Sequence, residues 1–129
     1  MLYIMRHGRT DWNVERKLQG HTDVPLNEEG RQMAEEAAVR YKEVSIDTCY
    51  CSPLVRAKET AEIVLRDRNI PIWFDDRLAE MGFGEYEGIK LNTLAEDAPA
   101  NVLFQHPEKY VPGVDGESFA ELYKRTGSF

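Results

Sequence analysis

The chain is poor in the features that mark several common protein classes. Among its 129 residues there are two cysteines and three histidines, and acid outweighs base to a net charge of −7. No apolar run approaches the roughly 20 residues needed to cross a bilayer. The opening Leu2 to Met5 is too short for a signal peptide and leads straight into a polar segment. A cytoplasmic chain with no membrane partner is therefore expected. The negative charge also argues against nucleic acid as a partner. Cys49 and Cys51, two residues apart, would share one face of a strand. No second pair and no histidine cluster accompanies them, so they read as small apolar residues and no metal is expected. No repeat, low-complexity tract or linker divides the sequence. Its length suits one domain spanning residues 1–129.

Against that background the polar residues near the start stand out. Leu2 to Met5 predicts a buried strand, and Arg6, His7 and Gly8 follow at once. The triplet would sit where a strand gives way to a loop, where open α/β sheets place their ligand chemistry. A cation, an imidazole and a glycine there suggest a site that binds an anion and attacks it. A lone histidine in such a place is more often a surface or hydrogen-bonded residue. Its company shifts the balance: Arg9, Thr10, Asp11, Trp12 and Asn13 form a polar turn around one aromatic. A net-negative chain that binds an anion must gather cations locally, and Arg6, Arg9, Arg56 and Arg77 are the candidates.

The pattern then alternates helix and strand. A helix is predicted from an Asn27 N-cap, with Glu28 and Glu29 in its first turn suiting the helix dipole. Met33, Ala34, Ala37, Ala38 and Tyr41 form its apolar stripe. A second strand covers about Thr48 to Cys51. Ser52 would cap a second helix with Pro53 at its first position. That helix would run to about Arg68 with Leu54, Ala57, Ala61, Val64 and Leu65 inward. Ile70 to Phe74 reads as a third strand. Leu91 to Ala98 and Asn101 to His106 read as short helices. A last helix follows Pro112 and Gly113, with Phe119, Leu122 and Tyr123 on one face. Such alternation predicts an α/β fold, a mostly parallel sheet between helices in a three-layer α/β/α arrangement. Three parallel strands would deliver Arg6 and His7, Arg56, and Glu80 to one rim.

Several separated motifs occur in register: Arg6-His7-Gly8, Gln19-Gly20, Asp23, Pro25-Leu26, Gly30, Ser52 to Ala61 (SPLVRAKETA) and Leu78 to Gly88 (LAEMGFGEYEG). Together they resemble the histidine phosphatase superfamily, or phosphoglycerate mutase-like family, over Leu2 to about Phe119. The resemblance implies the phosphoglycerate mutase-like fold, no cofactor, and a phosphomonoester hydrolase acting on a small phosphorylated metabolite. His7 matches the residue that is transiently phosphorylated. Glu80 matches the general acid, which protonates the leaving alcohol and then activates water. Arg6 and Arg56 match the phosphate-binding arginines, whose planar donors suit phosphate. Asn13 matches a residue that hydrogen-bonds the phosphoryl group. Gln19 and Gly20 match the loop near the substrate, and Thr10 is grouped with them as substrate-binding. Trp12 would pack that loop. By resemblance, an alpha-ribazole phosphatase-like or sugar phosphatase activity is nearer than mutase activity, because the stretch from Glu80 to Glu117 is short. The alternatives are mutase-type phosphoryl transfer and a catalytically impaired phosphate-binding module.

Three departures from the family pattern carry expectations. Arg9 stands where Gln or Glu is usual and would add a second cation near the site. Tyr86 replaces a common Trp. Family members also carry a second active-site histidine on an apolar strand followed by His-Gly. His21 and His106 do not follow apolar strands, so neither takes that role. The chain is thus expected to be the N-terminal two-thirds of a typical member, lacking the C-terminal strand and helix of the full fold. An open sheet edge would then invite self-association or a homodimer.

Overall fold

A computed structural model describes residues 1–129. Secondary structure begins with a single-turn helix, α1 (Asp11–Val14). The chain divides into two units: Met1–Asp11 with Asp23–Asp76, and Trp12–Thr22 with Arg77–Phe129.

In the first unit, α2 spans Glu28–Arg40. Its start is fixed by Asn27, whose side-chain oxygen accepts from the Gly30 N–H at 2.9 Å, one of the donors a helix start leaves unpaired. Strand β1 (Cys49–Cys51), helix α3 (Val55–Leu65) and strand β2 (Ile72–Phe74) follow. The two strands are parallel, with Cys49 opposite Ile72 and Cys51 opposite Phe74. Parallel neighbours need a crossover, and α3 supplies it. Ala34, Val64 and Leu65 form the core, with Ala37, Ile46, Cys49, Ile70 and Ile72 packed around them. The cysteines share the inner side of β1 while Tyr50 faces out. Burial pushes both thiols up, that of Cys51 to about 11.

Several expectations are corrected here. Leu2 to Met5 is not a strand, and its four residues are exposed. A strand exists only as part of a ladder; β1 pairs with β2, and no segment pairs with Leu2 to Met5. The sheet therefore has two strands, and the rim expected from three is not built. Met33 in α2 and Tyr41 just past its end are exposed, so burial narrows to Gly30 and Ala34, with Ala37 and Ala38 half-buried. Helix α3 starts three residues after Ser52, and its last residue is Leu65 rather than Arg68. Ser52 instead accepts from the Leu54 N–H at 3.3 Å in the turn ahead of the helix. The buried line of α3 is Arg56, Thr60 and Val64, with Leu65. Its first two members are polar, so the inward face was not the purely apolar one expected.

In the second unit, the backbone around Leu18 meets that around Ile89: Leu18 N–H donates to Ile89 O at 3.1 Å, and Gly88 N–H to Leu18 O at 2.8 Å. Leu91 to Thr93 forms one 3₁₀ turn rather than a helix to Ala98. Helix α4 covers Pro99–Gln105. Helix α5 (Phe119–Gly127) starts at a capping box, in which Ser118 and Glu121 each satisfy the other's backbone N–H. The Phe119 ring meets Tyr110 edge-on at 5.4 Å, and Tyr123 is exposed. No helix is long and apolar enough to cross a membrane.

Candidate active site

Of the eight expected site residues, Arg6, His7, Thr10 and Arg56 belong to the first unit, and Asn13, Gln19, Gly20 and Glu80 to the second.

The histidine loop of the first unit is built on glycine. A Cβ on Gly8 would lie 2.5 Å from Gly30 O, and one on Gly30 only 2.0 Å from Arg9 O. The loop therefore lies backbone-to-backbone against the start of α2, a distance only glycine allows. Two hydrogen bonds fasten it. Asn27 N–H donates to Arg9 O at 3.0 Å. Gly8 N–H donates to the buried Thr60 hydroxyl at 3.0 Å, and that hydroxyl donates to Arg56 O at 2.7 Å. Thr60 thus ties the His7–Gly8 peptide to the helix that carries Arg56.

His7 is half-buried, and its Nδ1 lies 2.7 Å from Gly8 O. A carbonyl oxygen can only accept, so Nδ1 carries the proton. In the neutral ring the lone pair then belongs to Nε2. Arg56 is 1% exposed; a solvated helix charge it is not. Thr10 is fully buried, and Arg6 is exposed. The first N–H of α3, on Val55, is capped from a distant loop by the Asp23 carboxylate at 2.7 Å. The guanidinium of Arg9, the residue expected to add a second cation near the site, sits 2.6 Å from Glu29 at the start of α2.

In the second unit, Gln19 and Gly20 are buried, and Gly20 adopts φ +54°. A Cβ there would strike Glu87 Oε1 at 2.1 Å. Glu87 organises this loop. It accepts from the N–H groups of His21, Thr22 and Phe83 at 2.9, 2.7 and 3.0 Å, and from the Thr22 hydroxyl. Burial pushes its carboxyl up, but these bonds outweigh burial and hold it below the usual carboxylate range. Asn13 lies in α1, and the Trp12 ring packs on Gly88, whose Cβ would meet it at 3.1 Å. Glu80 is exposed and accepts from the Met81 N–H at 2.9 Å. Its own carbonyl accepts from Arg125 at 3.2 Å.

Sequence reasoning missed Thr60, Glu87, Glu117 and Arg125. A buried Thr60 one turn after Arg56 was legible as helix spacing. The pairing of Glu117 with Arg125 was hinted at only by an acid just before, and a base within, the last predicted helix.

Residues 2–129 match the model of the histidine phosphatase superfamily (branch 1). The chain is 41% identical over 99 residues to the Bacillus subtilis protein named "Uncharacterized phosphatase PhoE", covering 77% of this chain and 51% of that one. It is 38% identical to an Escherichia coli O1:K1 protein named "Probable phosphoglycerate mutase GpmB", over 98% of this chain and 60% of that one. Among solved structures, YhfR of Bacillus stearothermophilus superposes with a TM-score of 0.82 at 41% identity, over 93% of this chain and 60% of that one. The alpha-ribazole phosphatase of Shigella flexneri gives 0.84 at 31% identity, over 97% and 62%. The chain thus spans between 51% and 62% of the length of these relatives. The chain has the α/β, phosphoglycerate mutase-like fold of these solved structures, and it is a member of the histidine phosphatase superfamily (branch 1).

Proposed function

We propose that the chain carries out phosphoryl transfer from small phosphomonoesters through a phosphohistidine on His7, with water as the final acceptor. The observation that carries this reading is the hydrogen bond from His7 Nδ1 to Gly8 O at 2.7 Å. It presents Nε2 as the nucleophilic nitrogen on a loop that Thr60 ties to the helix bearing Arg56. Phosphoryl transfer asks for little beyond positioning, neutralised oxygens and an in-line nucleophile. Arg6 and Arg56 supply the charge, in the forked geometry that fits phosphate oxygens. His7 Nε2 attacks phosphorus as the P–O bond to the alcohol breaks, and Glu80 gives the departing oxygen its proton. Glu80, now a carboxylate, takes a proton from water. That water displaces the phosphoryl group from His7 and releases inorganic phosphate. Asn13, Thr10, Gln19 and Gly20 are assigned to substrate contact. The names of the relatives support both hydrolysis and mutase-type transfer. The two share every step except the acceptor, which is a second alcohol in the mutase.

Incubation with a ³²P-phosphomonoester, followed by a quench in base, tests this. We expect an acid-labile, base-stable label on the protein that is absent from His7→Ala. A chase that sends the label to phosphate identifies a phosphatase, and one that sends it to an added alcohol a mutase. Absence of label with retained phosphate binding would indicate a binding module instead.

A further inference from the structure

We infer that Arg125 is a positioning residue for Glu80: its guanidinium, locked by Glu117, holds the backbone of Arg77 to Glu80 and so fixes the carboxyl proposed as general acid. The inference rests on that reading of Glu80 and goes beyond it.

Every donor nitrogen of Arg125 is used. Nη1 donates to Arg77 O and Ala79 O, both at 2.9 Å. Nη2 donates to Glu80 O at 3.2 Å and to Glu117 Oε2 at 2.8 Å, and Nε donates to Glu117 Oε1 at 2.5 Å. Three carbonyls in four residues are thus gathered on one rigid plane. The pair with Glu117 is bidentate, the geometry that fixes a guanidinium best. Its side chains are only 20% and 10% exposed, which shields the pair from the screening that weakens surface ion pairs.

Glu117 holds the other end of the same segment. Its Oε2 accepts from the Gly82 N–H at 3.2 Å, and its own N–H donates to Gly82 O at 2.8 Å. Residues 77 to 82 are therefore clamped on both sides of Glu80. Within that span the Glu80 carboxyl bonds to the Met81 N–H at 2.9 Å, so its direction follows the clamped backbone. Local sequence offers nothing comparable: Glu80 is exposed and lies in neither a helix nor a strand. Proton donation to a leaving oxygen requires the acid within hydrogen-bond reach of it, and a displacement near 1 Å at such a site can cost about 10²-fold.

The test compares two substrates in the intact chain. p-Nitrophenyl phosphate has a leaving group that departs without a proton, whereas β-glycerophosphate has an alkoxide that needs one. The wild type, Glu80→Gln, Arg125→Lys and Arg125→Lys with Glu80→Gln are measured. Arg125→Lys keeps the charge and loses the fork. We expect it to lower kcat on β-glycerophosphate about tenfold or more, a part of the roughly 10²–10⁴-fold that general acid catalysis supplies. On p-nitrophenyl phosphate it should change kcat less than about threefold, and the double variant should be no worse than Glu80→Gln. Equal losses on both substrates, or additive losses in the double variant, would overturn the positioning role. If Glu80→Gln itself shows no preference between substrates, the general-acid reading fails, and with it the inference. Hydrogen exchange covers the case of a chain that turns over neither substrate. Amides of residues 77–82 should lose protection in Arg125→Lys while those of α2 do not, and unchanged protection would overturn the clamp.

Discussion

The Gly8 amide and the Thr60 hydroxyl lie 3.0 Å apart across 52 residues of sequence. That one bond joins the histidine loop to α3, and the same hydroxyl donates onward to Arg56 O. Replacing Thr60 by Val keeps the shape and removes both partners' bond. We expect a loss of about 1–3 kcal/mol, the usual penalty for a buried donor left unsatisfied, read by urea denaturation. Thr60→Ser should restore most of it. Equal stability of Val and wild type would show that the bond does not hold the loop.

Gly30→Ala makes a sharper demand. Its Cβ would sit 2.0 Å from Arg9 O and 2.7 Å from Arg9 N, both backbone atoms. We expect at least the roughly 1–3 kcal/mol of an overpacked core, seen as a lowered melting temperature. Gly127→Ala is the control: nothing lies within 4 Å of its Cβ. It should be neutral or stabilising by up to about 0.5–1 kcal/mol, since glycine is a poor helix residue. A similar effect at both positions would contradict the close packing of the histidine loop.

Acid should loosen the second unit through two carboxylates. The Arg125 side chain, and then the Gly82 N–H, hold Glu117 below the usual carboxylate range against burial. Hydrogen bonds hold Glu87 down in the same way, against its own burial. A carboxyl with a depressed folded pKa contributes stability above its unfolded value of about 4.3. That contribution is lost as pH falls through the folded value. Hydrogen exchange between pH 7 and pH 3 should therefore show residues 19–22 and 77–83 opening below about pH 4. In Glu87→Gln the opening of residues 19–22 should no longer depend on pH in that range. A pH-independent wild type would contradict these assignments.

Leu2 and Ile4 are 83% and 89% exposed, and Tyr50, Trp73 and Phe74 of the same unit are also exposed. Large apolar side chains left exposed in this number favour association. We expect light scattering to show a mass above the monomer that rises with concentration, and Leu2→Lys with Ile4→Lys to bring it down. A monomer at all concentrations would refute the self-association proposed for this chain.

What could be read from the sequence follows from where each signal is stored. The starts of α2 and α5 are local: Asn27 and Ser118 carry their caps within three residues, and both helices begin where those side chains place them. The strand pair flanking α3 was legible from short apolar runs. Leu2 to Met5 misled because an apolar pattern states that a segment should be covered, not what covers it. The true start of α3 depends on Asp23, 32 residues away from Val55, and no local pattern reveals such a cap. His7, Arg56 and Glu80 were visible as motif residues. Arg125, by contrast, acts through backbone carbonyls, which leave no mark in sequence.

In the proposed reaction His7 takes the phosphoryl group on Nε2 because Gly8 O holds the proton on Nδ1. The direct measurement is the isomer of the phosphohistidine, resolved by chromatography of an alkaline digest of the base-quenched protein or by ³¹P–¹⁵N coupling in ring-labelled protein. The Nε2-phosphorylated isomer alone, at His7, is expected. The Nδ1 isomer, or label at another residue, would contradict it.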